Sequence, residues 1–338
     1  MKDFAVIGGG VSGIITLVYL IAKFPKKKIL WIDKGNFNSG DLIHYPEVPA
    51  NTPFNILFSF LTKIYSMLEI DKDLNNLCPH SDNIFKLKCL TKELLYITNF
   101  LRTKSNITMI TEHITKVQYM DEHWILHGNP NLYMSHKVIL ASGCNHRKLD
   151  INIKTIPIQT ALNPNLLDVL DIKDKKIFVF GNSHSGILVL KNLLDVGYTN
   201  VTNIIKTPVK IPYVNEKNIE INQESGIRGV GLKWTKENLI PTNKTSIKII
   251  YYDDINHIDA DYVIYAIGLT PNNIIVEINN AERTIKELVS TKEFNDTGEL
   301  FTNLYGIGAA FPEKFIIENS TEYKIGASEF LDRIEKMF

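Results

Sequence analysis

The chain has 338 residues, 37 basic and 37 acidic side chains for a net charge of zero, and 44% hydrophobic residues. That length exceeds one comfortable hydrophobic core, so two domains are expected, and the balanced charge argues against a nucleic-acid or membrane-surface partner in favour of a small soluble ligand. Three cysteines (Cys78, Cys89, Cys144), no secretory signal and an apolar run over 14–22 too short to span a bilayer imply a reducing cytoplasm and buried, inert thiols.

Taken in chain order, the apolar residues 4–7 run into Gly8-Gly9-Gly10-Val11-Ser12-Gly13 and a further apolar segment. This is the pattern of a buried parallel strand turning tightly into a helix. Gly8 permits the turn, Gly10 lets a pyrophosphate approach the backbone, and Gly13 lets the helix pack close to the strand, with free N–H groups and the helix dipole facing the phosphates. Pro25 ends the helix and residues 28–32 read as a second strand. Asp33 closes that strand about 20 residues after Gly13, where an acid takes ribose hydroxyls. Residues 35–53 are rich in Gly, Pro and Asn, a loop long enough to be ordered by a ligand or to be a surface excursion.

An apolar segment of helical length follows over 54–61, then a loop over 71–84, an amphipathic helix over 91–102 and a strand over 107–110. Residues 114–119, 124–127 and 132–134 alternate as short strands of an antiparallel flap. They lead to a buried strand over 137–141 stopped by Ser142 and Gly143, again backbone placed close to a ligand.

A second pattern of the same kind begins with a strand over 176–180. Gly181-Asn182-Ser183-His184-Ser185-Gly186 repeats the first spacing with Ser183 in the middle glycine place, and an apolar helix follows over 187–194. Two such loops point to an internal duplication with one nucleotide per copy. The strand over 200–205 ends in Lys206, about 20 residues after Gly186, where the first copy has Asp33. An acid there bonds a free 2′-hydroxyl whereas a cation suits a 2′-phosphate, so Lys206, assisted by Lys210, favours NADPH over NADH; an ordinary solvated lysine is the alternative. Residues 207–247 are the least regular part. Strands return over 249–252 and 262–267, a turn over 268–272, a strand meeting glycine over 303–310 and a closing helix over 327–337. His184 at a helix start reads as a structural donor or as a cofactor contact, Cys144 has no visible activating partner, and no metal-binding motif is present.

These motifs, in this order, resemble those of the two-dinucleotide-domain flavoproteins of the pyridine nucleotide-disulfide oxidoreductase superfamily. That group includes thioredoxin-reductase-like enzymes and the flavin-containing and N-hydroxylating monooxygenases. The first loop with Asp33 resembles the family's FAD site, and Ala141-Ser142-Gly143 with Arg147 its A-T-G strand end and following basic residue. The second loop resembles the nicotinamide-nucleotide loop with Ser185 in the serine place, residues 262–268 the strand that returns to the flavin domain, and residues 304–308 the last flavin strand. The resemblance implies an α/β chain of two Rossmann-like, three-layer ββα domains, the second inserted into the first. Residues 1–149 and 270–338 would bind FAD, and residues 150–269 would bind NAD(P)H. It implies cofactor contacts from Gly8, Gly10, Ser12, Gly13, Asp33, Lys34, Asn51, Ile114, Gly143 and Arg147. Further contacts would come from Gly181, Ser183, Ser185, Gly186, Lys206, Gly268, Gly308 and Ala309.

Departures from the pattern narrow the function. The disulfide reductases carry a C-x-x-C or C-x₄-C pair beside the flavin, whereas no two cysteines here lie closer than Cys78 and Cys89. Direct dithiol chemistry is therefore not expected. Reductases place Asp after the last strand glycine, where this chain has Ala309 after Gly308. Asn51-Thr52 resembles the asparagine that flavin-containing monooxygenases set beside the flavin ring, which makes Asn51 the candidate catalytic residue; a turn residue in a Pro-rich loop is the alternative. The expectation is an FAD-dependent NAD(P)H oxidoreductase, monooxygenase-like and acting on a small molecule. It would work without metal, nucleic acid or membrane, in an oligomeric state left open and including a dimer. A flavin reductase serving an external acceptor, or a non-catalytic FAD-binding protein interacting through 207–247, are the alternatives.

Overall fold

The computed structural model describes residues 1–35, 37–75, 77, 84–221, 226–240, 245–254, 258–291 and 297–338; Cys78 lies outside them. The first part of the chain supplies strands β1 (Lys2–Ile7), β2 (Ile29–Asp33), β3 (Ile107–Thr111), β4 (Lys116–Met120), β5 (His123–His127), β6 (Leu132–Leu140) and β7 (Cys144–His146). Its helices are α1 (Val11–Lys23), α2 (Phe54–Met67) and α3 (Leu87–Arg102). The middle supplies β8 (Lys154–Thr155), β9 (Ile177–Phe180), β10 (Val201–Ile205), β11 (Tyr213–Val214), β12 (Glu220–Ile221), β13 (Lys248–Tyr251), β14 (Tyr262–Tyr265) and β15 (Leu269–Pro271). With them come α4 (Ile158–Ala161), α5 (Pro164–Asp168), α6 (His184–Asp195) and α7 (Gly229–Asn238). The last part adds β16 (Ile275–Ile278), β17 (Ala281–Thr284), α8 (Ile285–Thr291), β18 (Glu299–Phe301), β19 (Leu304–Gly306), the hairpin β20 (Glu313–Ile317) and β21 (Ser320–Lys324), and α9 (Ala327–Met337).

In the first sheet β1 lies parallel between β2 and β6, with β3 beyond β2 and β19 beside the end of β6. The antiparallel flap β4–β5 grows from the start of β6, and β16–β17 extend it. The second sheet, β13-β10-β9-β14-β8, is wholly parallel. Both sheets thus share one core order, β3-β2-β1-β6 in the first and β13-β10-β9-β14 in the second. An antiparallel ribbon of β7 and β15 marks where the chain leaves the first sheet and returns to it.

Side-chain alternation along β1 assigns the faces. Phe4 and Val6 join the core shared with α1, α3 and α9, while Ala5 and Ile7 join the flap-side core with Trp124 and Leu126. Because both faces are covered, the parallel strands read as unbroken apolar runs. Helix α1 is buried from Ser12 to Leu20, as expected of a segment that is apolar on every side.

Several elements differ from the sequence expectation. Helix α3 starts at Leu87, ahead of the expected 91, and β6 is one strand, because buried Ser135 donates to the Lys137 carbonyl at 2.8 Å where a break was expected. The segment read as irregular contains α7, hidden by Gly229 and Gly231, since glycine is a poor helix former. Gly231 lies against His184 and Ile187 of α6, and Trp234 is buried in the core of the second sheet. The hairpin β20–β21 was not anticipated. Cys89 is disulfide-bonded and is not the expected thiol, whereas Cys144 is free. Spacing along a chain does not tell whether a loop brings two sulfurs within bonding distance. No described helix is long and apolar enough to cross a membrane.

Trp31 ties β2 to the first glycine loop. It is fully buried, its indole N–H donates to the Gly8 carbonyl at 2.9 Å, and its ring meets Phe37 edge-on at 4.6 Å. Trp31→Phe removes that donor and should destabilise the protein by about 1–3 kcal/mol, read as a lower urea midpoint in far-UV circular dichroism. An unchanged midpoint would show that the bond contributes nothing.

Candidate functional site

The bend between β1 and α1 is set by sterics. Gly8 has φ 128°, and a Cβ placed on it would fall 2.1 Å from the Ala141 carbonyl oxygen; one on Gly13 would fall 2.1 Å from the Gly8 oxygen. The chain's own packing therefore demands both glycines. Gly10 differs, with φ −82° and ψ −174°, and the nearest atom to its Cβ position is Gly40 Cα at 3.8 Å. Nothing in the protein forbids a side chain at Gly10, so the open space there suits a ligand. Ser39 bridges to Gly10, is 1% exposed, and its hydroxyl has no hydrogen-bond partner among the described residues. Helix α1 has no side-chain cap and no acid in its first turn. Its free N–H groups and the Ser39 hydroxyl fit a pyrophosphate.

Of the other expected contacts of the first copy, Asp33 and Gly308 lie against this turn, whereas Arg147 lines the cleft of the second loop instead. The Asp33 carboxylate accepts from the Gly9 N–H at 2.6 Å and the Gly35 N–H at 2.7 Å, so it braces the loop while keeping lone pairs for a ribose. A Cβ on Gly308, whose φ is 92°, would meet Ser12 Oγ at 2.4 Å, so Ala309 lies beside the start of α1. Asn272 donates from Nδ2 to the Ser142 carbonyl at 2.6 Å and from its backbone N–H to the Gly143 carbonyl at 3.0 Å. Ser142 Oγ and Asn272 Oδ1 are buried without hydrogen-bond partners among the described residues. The sequence marked Asn272 only as part of a turn. Lys34 is exposed, and the Ile114 side chain is buried in the flap-side core, which leaves only its main chain for a ligand.

Beside the starts of α1 and α9 lies a cavity of about 260 Å³. Its walls are Val11, Leu42, Ala50, Ile56, Leu57, Phe60, Phe85, Leu87, Leu90, residues 325–327 and Phe330. The polar side chains among its described lining residues are Asn51, Thr52 and Ser328, and none is ionisable. Asn51 thus stands in the wall of an apolar slot that suits a flat aromatic ring.

The second loop repeats the contacts of the first, and its middle residue the same backbone angles. A Cβ on Gly181 would fall 2.2 Å from the Ala266 oxygen and one on Gly186 2.4 Å from the Gly181 oxygen, while Ser183 has φ −82° and ψ −173°. The loop opens on a cleft of about 860 Å³ whose lining includes Ser183, Lys206, Gly268, Thr270 and Tyr252. His146, Arg147 and Lys148 also line it, and so does Lys286 from α8. Lys206 Nζ lies 5.5 Å from the centre of the Tyr252 ring, and Arg147 Nε donates to the Leu269 carbonyl at 2.8 Å. Four cations and no carboxylate line this cleft among the described residues. Lys286 and Tyr252 escaped the sequence reading, and Lys210 is not in the wall. Ser185 is half-buried in the first turn of α6.

His184 belongs to the packing of α6 on α7. Burial, with Arg228 adding to it, holds its imidazole down to about 4, so it is neutral at physiological pH. Burial pushes the Cys144 thiol up to about 11, which removes it as a nucleophile.

Two alanine replacements separate packing from ligand binding. Gly8→Ala should lower stability by at least about 1–3 kcal/mol through backbone strain alone. Gly10→Ala should change stability by about 1 kcal/mol at most, as a helix cap, yet reduce flavin content after reconstitution with FAD. Thermal unfolding and the ratio of flavin to protein absorbance check both, and full FAD occupancy in Gly10→Ala would refute the assignment.

The family model for pyridine nucleotide-disulphide oxidoreductases matches residues 2–321. The monooxygenase AgnR1 of Paecilomyces divaricatus is 22% identical over 387 residues, covering 98% of this chain and 96% of that protein. The bacillithiol disulfide reductase Bdr (YpdA) of Staphylococcus aureus superposes with a TM-score of 0.62 at 14% identity, covering 99% of this chain and 97% of that one. OTEMO in complex with FAD and NADP superposes with a TM-score of 0.65 at 12% identity, covering 99% of this chain and 84% of that one. The structural matches speak for the fold, and the family model, which spans nearly the whole sequence, decides the membership: the chain belongs to the pyridine nucleotide-disulphide oxidoreductase family.

Proposed function

We propose that the chain is an FAD-dependent monooxygenase-like enzyme that uses NADPH and acts on a small molecule. The observation that carries this is the pair of glycine loops of matching backbone geometry, one beside an apolar cavity and the other beside a cationic cleft. FAD, held by these residues, would supply the hydride-accepting and oxygen-reducing chemistry. The protein's part is to bind, orient and exclude water. Gly10, Ser39 and the start of α1 hold the pyrophosphate, Asp33 takes a ribose, and the apolar cavity keeps water from the ring while Asn51 offers it one donor and one acceptor.

The preference for NADPH over NADH rests on the cleft's charge. A 2′-phosphate adds negative charge to the ligand, and Lys206 lines the cleft just after β10; by strand register it stands in the place of Lys34, and the apolar Ile205 in that of the acid Asp33. Lys206→Ala should weaken NADPH binding by about 1.5–3 kcal/mol and leave NADH almost unchanged, as isothermal titration will show. Equal losses for both nucleotides would mean that the lysine does not read the phosphate.

Oxygen is favoured as the acceptor because no cysteine is among the described residues that line either cavity, and because the curated relative is a monooxygenase. The second reading, a reductase of an external acceptor, draws on the fold match to a disulfide reductase and on the bonded Cys89, which lies in α3 between the cavity residues Leu87 and Leu90. NADPH oxidation should depend on oxygen, and Asn51→Ala should keep flavin reduction but release more hydrogen peroxide. A Cys89→Ser protein that folds, binds FAD and is reduced by NADPH yet no longer passes electrons onward would decide for the reductase.

A further inference from the structure

The stretch from Gly40 to Thr52 borders the apolar cavity and bonds to a residue that lines the nucleotide cleft. Leu42, Ala50 and Asn51 line the apolar cavity. Between them Tyr45 turns the other way and packs, with Val48, against the core under the second sheet. Its hydroxyl is joined to His146 Nε2 at 2.5 Å, with the two rings edge-on and 6.0 Å apart. His146 sits on β7 opposite Leu269 and lines the nucleotide cleft. One hydrogen bond thus ties the stretch that supplies Leu42, Ala50 and Asn51 to the apolar cavity to His146 in the wall of the cleft.

We propose that the Tyr45–His146 hydrogen bond is a positioning contact for hydride transfer, holding the cleft that carries the nicotinamide in register with the cavity that carries the flavin ring. It rests on the function proposed above. Burial pushes the Tyr45 phenol up to about 12 and holds the His146 imidazole below its usual range. The charged groups facing the pair are Asp41, beside both rings, and Lys148, beside His146. With both rings neutral, a single proton lies between them and the bond holds whichever atom donates. In the transfer a C–H bond of the reduced nicotinamide breaks, its electron pair and hydrogen form an N–H bond on the flavin, the nicotinamide is oxidised and the flavin reduced. Tyr45 and His146 neither gain nor lose a proton, so they act through distance alone. Such transfers require reacting atoms held about 3–3.5 Å apart, and a misplacement of about 1 Å costs on the order of 10²-fold.

The test uses the FAD-loaded protein. Tyr45→Phe keeps the ring packing and removes the hydroxyl. At saturating NADPH without oxygen, its flavin should be reduced about 10- to 100-fold more slowly than in the wild type. FAD content, NADPH affinity and reduction by dithionite should stay within about twofold, a margin far smaller than that slowing. Before nucleotide is added, backbone hydrogen exchange over 144–148 should rise while that of the first glycine loop stays as it was. The double variant Tyr45→Phe/His146→Phe should be no slower than the slower single one, because both remove the same bond. Wild-type reduction rates in Tyr45→Phe, a loss explained by NADPH affinity, or additive losses in the double variant would each overturn the proposal alone. A wild-type flavin that dithionite reduces but NADPH does not would overturn the functional reading as well.

Discussion

The close approach of Gly8 to the Ala141 carbonyl is the contact on which the rest of the molecule depends. Because no side chain fits there, β1 and the end of β6 must lie side by side, and α1 must leave the sheet where those strands stop. That places the free N–H groups of α1 in the crevice outside the carboxyl ends of the parallel strands, where α/β folds bind ligands. Gly181 against Ala266 imposes the same solution on the second sheet. The two glycine turns therefore repeat each other because one steric rule is applied twice.

Around that shared backbone the side chains diverge. One cavity is lined by apolar groups with Asn51, Thr52 and Ser328, and the other by Arg147, Lys148, Lys206 and Lys286. A chain of zero net charge thus concentrates cations at one cleft, with acids elsewhere paired to other lysines, as Glu277 is to Lys116 and Glu47 to Lys86. An apolar slot strengthens the few hydrogen bonds made within it, whereas an open cationic cleft attracts an anionic ligand.

The long stretch after β2 has its order from the protein itself. Phe37 and Ser39 sit buried at φ 46° and 62°, Phe37 packs edge-on to Trp31, and a Cβ on Gly9 would fall 2.9 Å from the Phe37 Cα. The loop is thereby pressed onto the glycine turn, and its continuation carries Leu42 and Asn51 to one cavity and Tyr45 toward the other. A segment that reads as an excursion between elements is, in space, a wall of one cavity with a hydrogen bond to a residue of the other.

The glycine spacing, the apolar runs and the residue closing each second strand were legible because they are local properties, fixed by the period of a strand and the room a turn allows. By themselves they determined that the chain holds two loops of one kind, each between a buried strand and a helix; counting residues sets Lys206 against Asp33, whereas the strand register sets Ile205 there and Lys206 against Lys34. What they left undetermined depends on long-range approach. Helix α7 forms despite two glycines because α6 receives it, and Cys89 is bonded because of where the chain runs and not because of spacing. Lys286 and Tyr252 face the second loop, and Tyr45 meets His146, only because strands distant in sequence end side by side. No local pattern encodes such meetings, so the tertiary structure alone decided them.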